Sequence, residues 1–209
     1  SVLLATAPKT EANHEDRSEP VRLAAGQTCI LFADPAGVAR RLAALLRERG
    51  ARPVLVKPGQ TYERLSDGTA SVRVGSAEDL GRLLDDLALA ADAPPSLAYL
   101  WGLGDESEPS AASLLEQADR DCWQVILLLQ SLLARTWDSP PPFWLLTQGT
   151  QPVNLPGPPA IAQSPLWGLG RVMVTELAGL KTRMVDLSPA PGNAELAALR
   201  DVFLADDLE

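Results

Sequence analysis

The turn after the apolar run Cys29–Ala33 is the first place where this sequence could bind a phosphate. Parallel α/β proteins hold the pyrophosphate of a dinucleotide at such a turn, where glycines let the backbone approach the ligand. Here the turn reads Ala33-Asp34-Pro35-Ala36-Gly37 and contains a single glycine. Asp34 places a negative charge where a phosphate would lie, and Pro35 has no amide hydrogen to donate. We therefore assign no cofactor-binding residue to this turn.

Other glycine and charge patterns give equally little support for a nucleotide site. The second apolar run ends in Val56-Lys57-Pro58, without an acidic residue to bind a ribose diol. Lys57 could face a 2′-phosphate, but only beside the glycine turn that is missing. Gly102-Leu103-Gly104 leads into acidic residues, and Gly168-Leu169-Gly170 lies inside a helix pattern rather than opening it. We interpret both glycine pairs as packing or turn residues.

The side chains needed for proton transfer or metal binding are also missing. Carbonyl reduction on a doubly wound fold commonly pairs a tyrosine with a lysine four residues later, on one helical face. The two tyrosines, Tyr62 and Tyr99, are followed at that spacing by Ser66 and Leu103. The single histidine, His14, lies in a polar stretch that we predict to be a tail, which excludes histidine triads and zinc clusters. We therefore predict no catalytic residue and no metal ligand.

Composition limits the possible partners. The 209 residues are 46% hydrophobic and 22% charged, which is typical of a folded globular protein. The net charge of −9 argues against nucleic acid as a partner. The longest apolar run, Val125–Leu129, is too short to cross a membrane. Cys29 and Cys122 lie in apolar patterns, so we expect reduced thiols and a cytoplasmic location. A chain that begins at Ser1 also suggests a fragment or a processed start.

Short apolar runs of strand length alternate along the chain with stretches whose apolar residues recur at helical spacing. The predicted strands are Cys29–Ala33, Pro53–Lys57, Leu97–Trp101, Phe143–Thr147 and Thr182–Leu187, and Tyr62–Leu65 with Thr69–Val74 forms one or two further short strands. Alternation of this kind is typical of a parallel sheet covered by helices on both faces. We therefore predict an α/β fold with a doubly wound parallel sheet. We expect the apolar start at Val2–Leu4 to be disordered; an added strand there is the alternative.

Each predicted helix has a start signal or an apolar face. Asp34-Pro35 starts the first helix, and Ser76 with Asp79 forms a capping box for the second. The inward residues of these two helices are Val38, Leu42, Leu45 and Leu46, and Leu80, Leu83, Leu84 and Leu87. A third helix spans roughly 25 residues, and its wide apolar stripe indicates that it is covered on more than one side. That stripe consists of Leu115, Ala118, Cys122, Val125, Ile126, Leu129, Leu132 and Leu133.

The stretch Ser164–Leu177 predicts a helix with two glycines in its interior. Ser164 suits the cap and Pro165 the first turn. Leu166, Leu169, Met173 and Leu177 share one face. Each interior glycine costs about 1 kcal/mol relative to alanine, a cost that is tolerated where another backbone comes close. Two interpretations stay open: a helix that packs two bodies together, or a core helix of one domain.

Three segments give the chain a recognisable relative. The string Leu166-Trp167-Gly168-Leu169-Gly170-Arg171-Val172, followed by Glu176, resembles a segment of the ketoreductase regions of modular polyketide synthases. Phe143–Gly149 resembles the fifth strand of that family, and Met184–Pro189 resembles its sixth strand and following turn. The resemblance covers roughly residues 28–206, and the first string is its most specific part.

The resemblance implies a particular half of such a reductase. In that family two halves share a short-chain-dehydrogenase ancestry, and only the carboxy-terminal half binds NADPH and carries the catalytic residues. This chain resembles the amino-terminal half, a truncated Rossmann-like domain with three α/β/α layers. Residues 28–209 would form this structural subdomain, and residues 1–27 a linker or tail from a preceding domain. No family catalytic residue can be placed on the chain, which by itself would not be an enzyme.

The resemblance also implies partners. The chain would pack against the catalytic half, which would hold the NADPH, or against other domains of the same synthase, with no direct small-molecule substrate. The residues expected at that contact are Leu166, Trp167, Gly168, Leu169, Gly170, Arg171 and Met173. One alternative is a pseudo-ketoreductase that supports a neighbouring methyltransferase or dehydratase domain. Another is an independent nucleotide-binding α/β enzyme with a degenerate pocket.

Overall fold

Eight strands and five helices make up the part of the chain that this computed structural model describes, residues 3–5, 26–88, 94–104, 110–152, 159–177 and 179–205. The strands are β1 (Leu3–Ala5), β2 (Thr28–Phe32), β3 (Arg52–Pro58), β4 (Glu63–Arg64), β5 (Thr69–Val72), β6 (Ser96–Tyr99), β7 (Phe143–Gln148) and β8 (Thr182–Leu187). The helices are α1 (Val38–Glu48), α2 (Ala77–Ala88), α3 (Ala111–Leu133), α4 (Ser164–Glu176) and α5 (Asn193–Ala205). A 3-10 turn, Ile161–Gln163, precedes α4.

The strands form one sheet in the order β1-β8-β7-β6-β2-β3-β5-β4. The six strands from β8 to β5 pair in parallel, and short antiparallel strands lie at both edges. The strand order reverses between β2 and β6, which is the switch point of a doubly wound fold. The predicted α/β class and doubly wound parallel sheet are therefore confirmed.

The edge strand β1 pairs antiparallel with β8, with Leu4 opposite Val185. The sequence alternative of an added strand at Val2–Leu4 corresponds to this pairing. Residues 6–25 lie outside the described part, so the assignment of residues 1–27 as a linker stays a prediction. The same holds for the centre of the proline-rich loop, residues 153–158.

Two apolar cores cover the two faces of the sheet. Alternate residues of β2 point to opposite faces, so Cys29 and Leu31 join one core while Ile30 and Phe32 join the other. The core that contains Leu31 is completed by α1 and α5. The core that contains Phe32 is completed by α2, α3 and α4. The helices thus lie in two layers on either side of the sheet, which gives the predicted three-layer arrangement.

Helix α3 is rotated relative to the predicted apolar stripe. Its inward face includes Gln117, Asp121 and Gln124, whereas Leu115 and Leu133, both placed in the stripe, are 68% and 56% exposed. The hydrophobic pattern mispredicted this face because it does not include partners such as the Gly75 amide, which lies on a loop and donates to the inward Gln124. None of the helices described by the structure is both long and apolar enough to span a membrane.

Two predicted cap assignments are wrong in detail. Ser164 is not the cap of α4, because the preceding 3-10 turn makes Gln163 the cap and Ser164 the first helical residue. The capping box at α2 is only half formed. The amide of Asp79 donates to Ser76 Oγ at 3.2 Å, but the Asp79 carboxylate accepts from the backbone and guanidinium of Arg73 instead of from Ser76.

The two glycines of α4 occupy different environments. A Cβ on Gly170 would lie 2.8 Å from Met184 Sδ and 3.0 Å from Leu145 Cδ2, so the helix backbone rests directly on β7 and β8. Gly168 is exposed, and a Cβ there would meet no atom within 4 Å. The close approach predicted from these glycines is therefore found at Gly170, within this domain.

We predict that Gly170→Leu destabilises the domain while the matched variant Gly168→Leu does not. The leucine at position 170 must displace Met184 and Leu145, which costs about 1–3 kcal/mol as overpacking. The leucine at position 168 enters open space and gains helix propensity. Urea denaturation of both variants measures the difference, and equal stability of the two would contradict the packing described for α4.

We also predict that Asp79→Asn lowers stability at neutral pH more than in acid. Hydrogen bonds from the Arg73 guanidinium lower the pKa of Asp79, so its ionised form stabilises the fold. That contribution is present above the unfolded pKa of about 4 and is lost as the pH falls through the lower folded value. Thermal denaturation from pH 7 to pH 3 should show the two proteins converging in acid. A constant difference across this range would exclude an ionic role.

Candidate functional site

A crevice of about 820 Å³ opens outside the carboxyl ends of β2 and β6. This is the switch point of the sheet, where doubly wound proteins bind their ligands. The turn after β2 and the start of α1 form one wall, with Asp34, Pro35 and Arg40. The segment after β6 and the middle of α3 form the opposite wall, with Trp101 and Gln124.

The Asp34 carboxylate occupies the amino terminus of α1. Its Oδ2 accepts from the amide of Val38 at 2.9 Å and its Oδ1 accepts from the amide of Ala39 at 2.7 Å. These are the first helical amides, which would otherwise be free to bind an anion. The helix begins only at Val38 because Gly37 takes a left-handed conformation, with φ at 88°. The predicted start at Asp34-Pro35 is therefore only partly correct: Gly37 is the cap residue and Pro35 lies before the first turn. The Asp34 carboxylate nevertheless places its negative charge on the amides that a phosphate would use.

Gly104 brings the segment after β6 against the same turn. A Cβ at this residue, whose φ is +80°, would lie 2.5 Å from the Cβ of Ala36. The two loops therefore touch at the crevice, which is closed on this side without room for a larger residue. Gly104 is a turn and packing glycine, as the sequence predicts.

An aromatic cluster forms part of the crevice wall. The Trp101 ring lies edge-on to Phe32 at 5.2 Å, and its Nε1 donates to the Val56 carbonyl at 2.9 Å. Tyr99 is buried beside it, and this burial, with a smaller contribution from Asp121, raises the pKa of Tyr99 well above its ordinary value. Tyr99 therefore stays protonated at physiological pH, and we assign it a packing role.

Helix α3 contributes polar side chains that sequence reasoning missed. Gln124 is 1% exposed, and its Oε1 accepts from the Gly75 amide at 2.7 Å. Its Nε2 is buried and has no acceptor among the residues that the structure describes. Asp121 is also buried and lies beside Arg120, with 3.3 Å between Oδ1 and Nε. The signal that could have identified these residues is their spacing, since positions 117, 121 and 124 share one helical face.

The rim of the crevice is basic. Arg40 projects from α1 and Lys57 from the end of β3, and both are exposed. Neither forms an ion pair with another residue in the described ranges. Hydrogen bonds from Thr69 lower the pKa of Asp67, and the charge of Lys57 adds a smaller effect without a direct contact. Within the same ranges no three histidine, cysteine or acidic side chains cluster as a metal site would require.

A second polar cluster at the carboxyl end of β8 is structural. Asp186 Oδ1 accepts from the hydroxyls of Thr147 and Thr150, each at 2.7 Å. Its Oδ2 accepts from the amide of Gln151 at 2.9 Å. These bonds hold the loop after β7 against β8, and they leave the Asp186 carboxylate committed to that loop.

The residues predicted for packing against a second body divide into two groups. Leu166, Trp167, Gly170 and Met173 are buried within this domain. Leu169 is half-buried, whereas Gly168 and Arg171 are exposed. Contact of these residues with a second body stays a prediction, and only the last three are accessible for it.

Exposed apolar side chains also occur on the helical layer that contains α3 and α4. Among the residues that the structure describes, seven large hydrophobic side chains are exposed, and five of them lie on α3, the 3-10 turn and α4. We call this set the outer apolar surface: Leu115, Trp123, Leu133, Ile161 and Val172. Leu115 and Ile161 border one groove of 350 Å³.

Comparison with known sequences finds a family model and a synthase relative. The model described as "Beta-ketoacyl synthase-like, N-terminal" matches residues 28–157. A phenolphthiocerol/phthiocerol polyketide synthase polypeptide of Mycobacterium tuberculosis is 32% identical over 103 residues, which is 48% of this chain and 5% of that polypeptide. The corresponding polypeptide of Mycobacterium bovis matches equally. The chain thus spans about a twentieth of the length of these relatives, and the predicted relation to polyketide synthases is confirmed.

Comparison with solved structures shows the fold. A multidomain structure with adenylation, ketoreductase and pseudo-Asub domains, from a keto acid-selecting NRPS module, matches 99% of this chain and 16% of its own at a TM-score of 0.73 and 16% identity. An N-terminal ketoreductase from the macrolactin assembly line matches 94% of this chain and 39% of its own, with a TM-score of 0.62 and 15% identity. A short-chain dehydrogenase of Mycobacterium smegmatis matches 94% of this chain and 92% of its own, with a TM-score of 0.64 and 19% identity. The predicted short-chain-dehydrogenase type of fold is confirmed.

We predict that Asp34→Ala lowers the free energy of unfolding by about 1–2 kcal/mol, because two amides of α1 lose their acceptor. The exposed Asp138→Ala is the control, since Asp138 accepts no hydrogen bond from another described residue. Urea denaturation measures both. If Asp34→Ala unfolds at the same urea concentration as Asp138→Ala, the carboxylate is not the acceptor for these amides.

Proposed function

The chain belongs to the family described as "Beta-ketoacyl synthase-like, N-terminal", and from this premise we propose that it is the non-catalytic structural subdomain of a polyketide synthase ketoreductase. In this role it packs against the catalytic half of the reductase and stabilises it. NADPH and the reacting ketone are held by that half. The chain itself contributes a surface.

The outer apolar surface is the observation that carries this proposal. Leu115, Trp123 and Leu133 lie within about 80° of one another around α3 at 100° per residue. They lie on the opposite side of the helix from Gln124, Leu128 and Leu132, which are buried toward the sheet. A helix that is apolar on both sides needs a second cover. Exposed apolar patches of this kind mark interaction sites, because their removal from water favours association.

The exposed part of α4 continues the same surface. Val172 is 55% exposed, and Ile161, just before the helix, is 67% exposed. Gly168 is also exposed, so an approaching helix would meet no side chain at that point. The packing residues that we propose are therefore Gly168, Leu169 and Arg171 together with the outer apolar surface. The buried Leu166, Trp167, Gly170 and Met173 support this helix from beneath.

The crevice supports the assignment of coenzyme binding to the partner. A dinucleotide pyrophosphate would have to displace the Asp34 carboxylate from the amides of Val38 and Ala39. The negative charges of the pyrophosphate and of the Asp34 carboxylate would also repel each other at short range. Neither tyrosine lies on α4, and neither has a lysine four residues later. The chain by itself thus lacks the residue pairs that reduce a ketone on this fold.

The test is association with the catalytic half of the same synthase. We expect Trp123→Glu to weaken the complex at least about tenfold, because a buried charge without a partner costs more than 1 kcal/mol. The matched control is Leu65→Glu, since Leu65 is 52% exposed but lies on the hairpin of β4 and β5. Co-purification and calorimetry of the two expressed halves measure the effect, and ketone reduction by the complex measures its consequence.

The outcomes separate the alternatives. Unchanged association and reduction with Trp123→Glu would reject the outer apolar surface as the contact with the catalytic half. Association with a neighbouring methyltransferase or dehydratase domain instead, lost in the same variant, would favour the pseudo-ketoreductase scaffold. Micromolar binding of NADPH by the isolated chain, measured by NADPH fluorescence, would favour the independent enzyme; we expect none.

A further inference from the structure

We propose that the crevice between the turn after β2 and the middle of α3 binds small aromatic carboxylic acids. This proposal does not rest on the subdomain role, because the crevice and the outer apolar surface are built from different residues. It differs from the expectation, drawn from the sequence, that the chain meets no small molecule. Three features of the described residues support it: volume, an aromatic wall and a basic rim.

The volume of the crevice and the apolar side chains that line it suit an organic ligand. A cavity of about 820 Å³ lies in the range of small-molecule sites, which are mostly apolar with a few placed polar groups. Leu55, Leu103 and Val74 contribute apolar side chains to it. A compact inorganic anion would leave most of this space empty.

Trp101 provides a platform for an aromatic ring. The indole is half-buried, so part of it stays open to the crevice. Its orientation is held by the hydrogen bond from Nε1 to the Val56 carbonyl and by the edge-on contact with Phe32. A ligand ring that stacks on a preorganised indole costs little side-chain entropy on binding, and aromatic pairs are favoured beyond the area that they bury.

The rim selects a negative charge. Arg40 and Lys57 line the crevice from two different elements, and neither forms an ion pair within the described ranges. Arg120 also lines it, but its guanidinium already lies beside Asp121. A carboxylate at the rim would therefore meet two cations that no described acid contacts directly.

The acidic residues of the crevice limit the ligand to a single negative charge near the rim. Asp34 holds the amino terminus of α1, and Asp121 is buried beside Arg120. A diphosphate, which must reach the first amides of α1, is repelled by Asp34. A monocarboxylate on an aromatic ring avoids that end of the crevice and meets Arg40 and Lys57 instead.

The test uses three small probes and the intact chain: indole-3-acetate, the neutral indole-3-ethanol, and acetate. Ligand-observed NMR titration should give a dissociation constant of about 1 mM or below for indole-3-acetate. We expect both other probes to bind at least about fivefold more weakly, because each lacks one of the two recognised groups. Equal binding of the acid and the alcohol would overturn the proposal, as would the absence of saturable binding by indole-3-acetate.

Variants on the rim locate the site. Arg40→Gln and Lys57→Gln should each weaken indole-3-acetate binding about threefold, the strength of one exposed ion pair. Arg47→Gln is the matched control, since Arg47 is an exposed arginine of α1 that does not line the crevice. An equal loss of indole-3-acetate binding in Arg47→Gln would show that the effect is general electrostatic attraction, and it would reject the site. NADPH binding that is tighter than indole-3-acetate and is lost in Lys57→Gln would also reject it, in favour of a nucleotide site.

Discussion

The two hydrogen bonds from the first amides of α1 to the Asp34 carboxylate determine much of what this domain can do. They join the end of the central strand β2 to the first helix, and they satisfy donors that would otherwise be open to solvent or ligand. The same amides are the usual anchor for a bound phosphate on this fold. A side chain that caps its own helix in this way stabilises the fold and occupies the donors that an anion would use. The sheet therefore keeps the strand order of a doubly wound fold with a carboxylate at its first strand–helix turn.

Helix α3 joins the two surfaces on which the proposals rest. Its inward side carries Gln124, which lines the crevice and whose side-chain carbonyl holds the Gly75 turn. Its outward side carries Trp123, which is 54% exposed next to this buried glutamine. Adjacent residues on a helix face different directions, so one helix can line a pocket and present an interface. This helix is polar toward part of the interior and apolar toward part of the solvent, the reverse of an ordinary surface helix.

Helix α4 shows how one sequence string can serve packing and contact together. Gly170 lets the helix backbone rest on Met184 and Leu145, while Gly168, two residues earlier, faces open space. The glycine pair therefore does not mark one interface, as the string alone suggests. It marks a helix held close to its own sheet on one side and left without a side chain on the other. The match of the chain to one part of much larger synthases is consistent with a surface that needs a neighbour.

The order of strands and helices along the chain, the parallel sheet and the inward leucines of α2 could be predicted from the sequence alone. Those features follow from local periodicity and from cap residues, and both can be read without knowing which elements meet. Asp34 belongs to the same class, because the two amides that it caps lie only four and five residues away. The rotation of α3, the residues that contact Gly170 and the crevice could be seen only in the folded chain. Each depends on contacts between residues far apart in the chain, such as Gly75 with Gln124 or Gly104 with Ala36. The spacing of hydrophobic residues shows which positions of an element are apolar, but it does not show which residues of other elements pack against them.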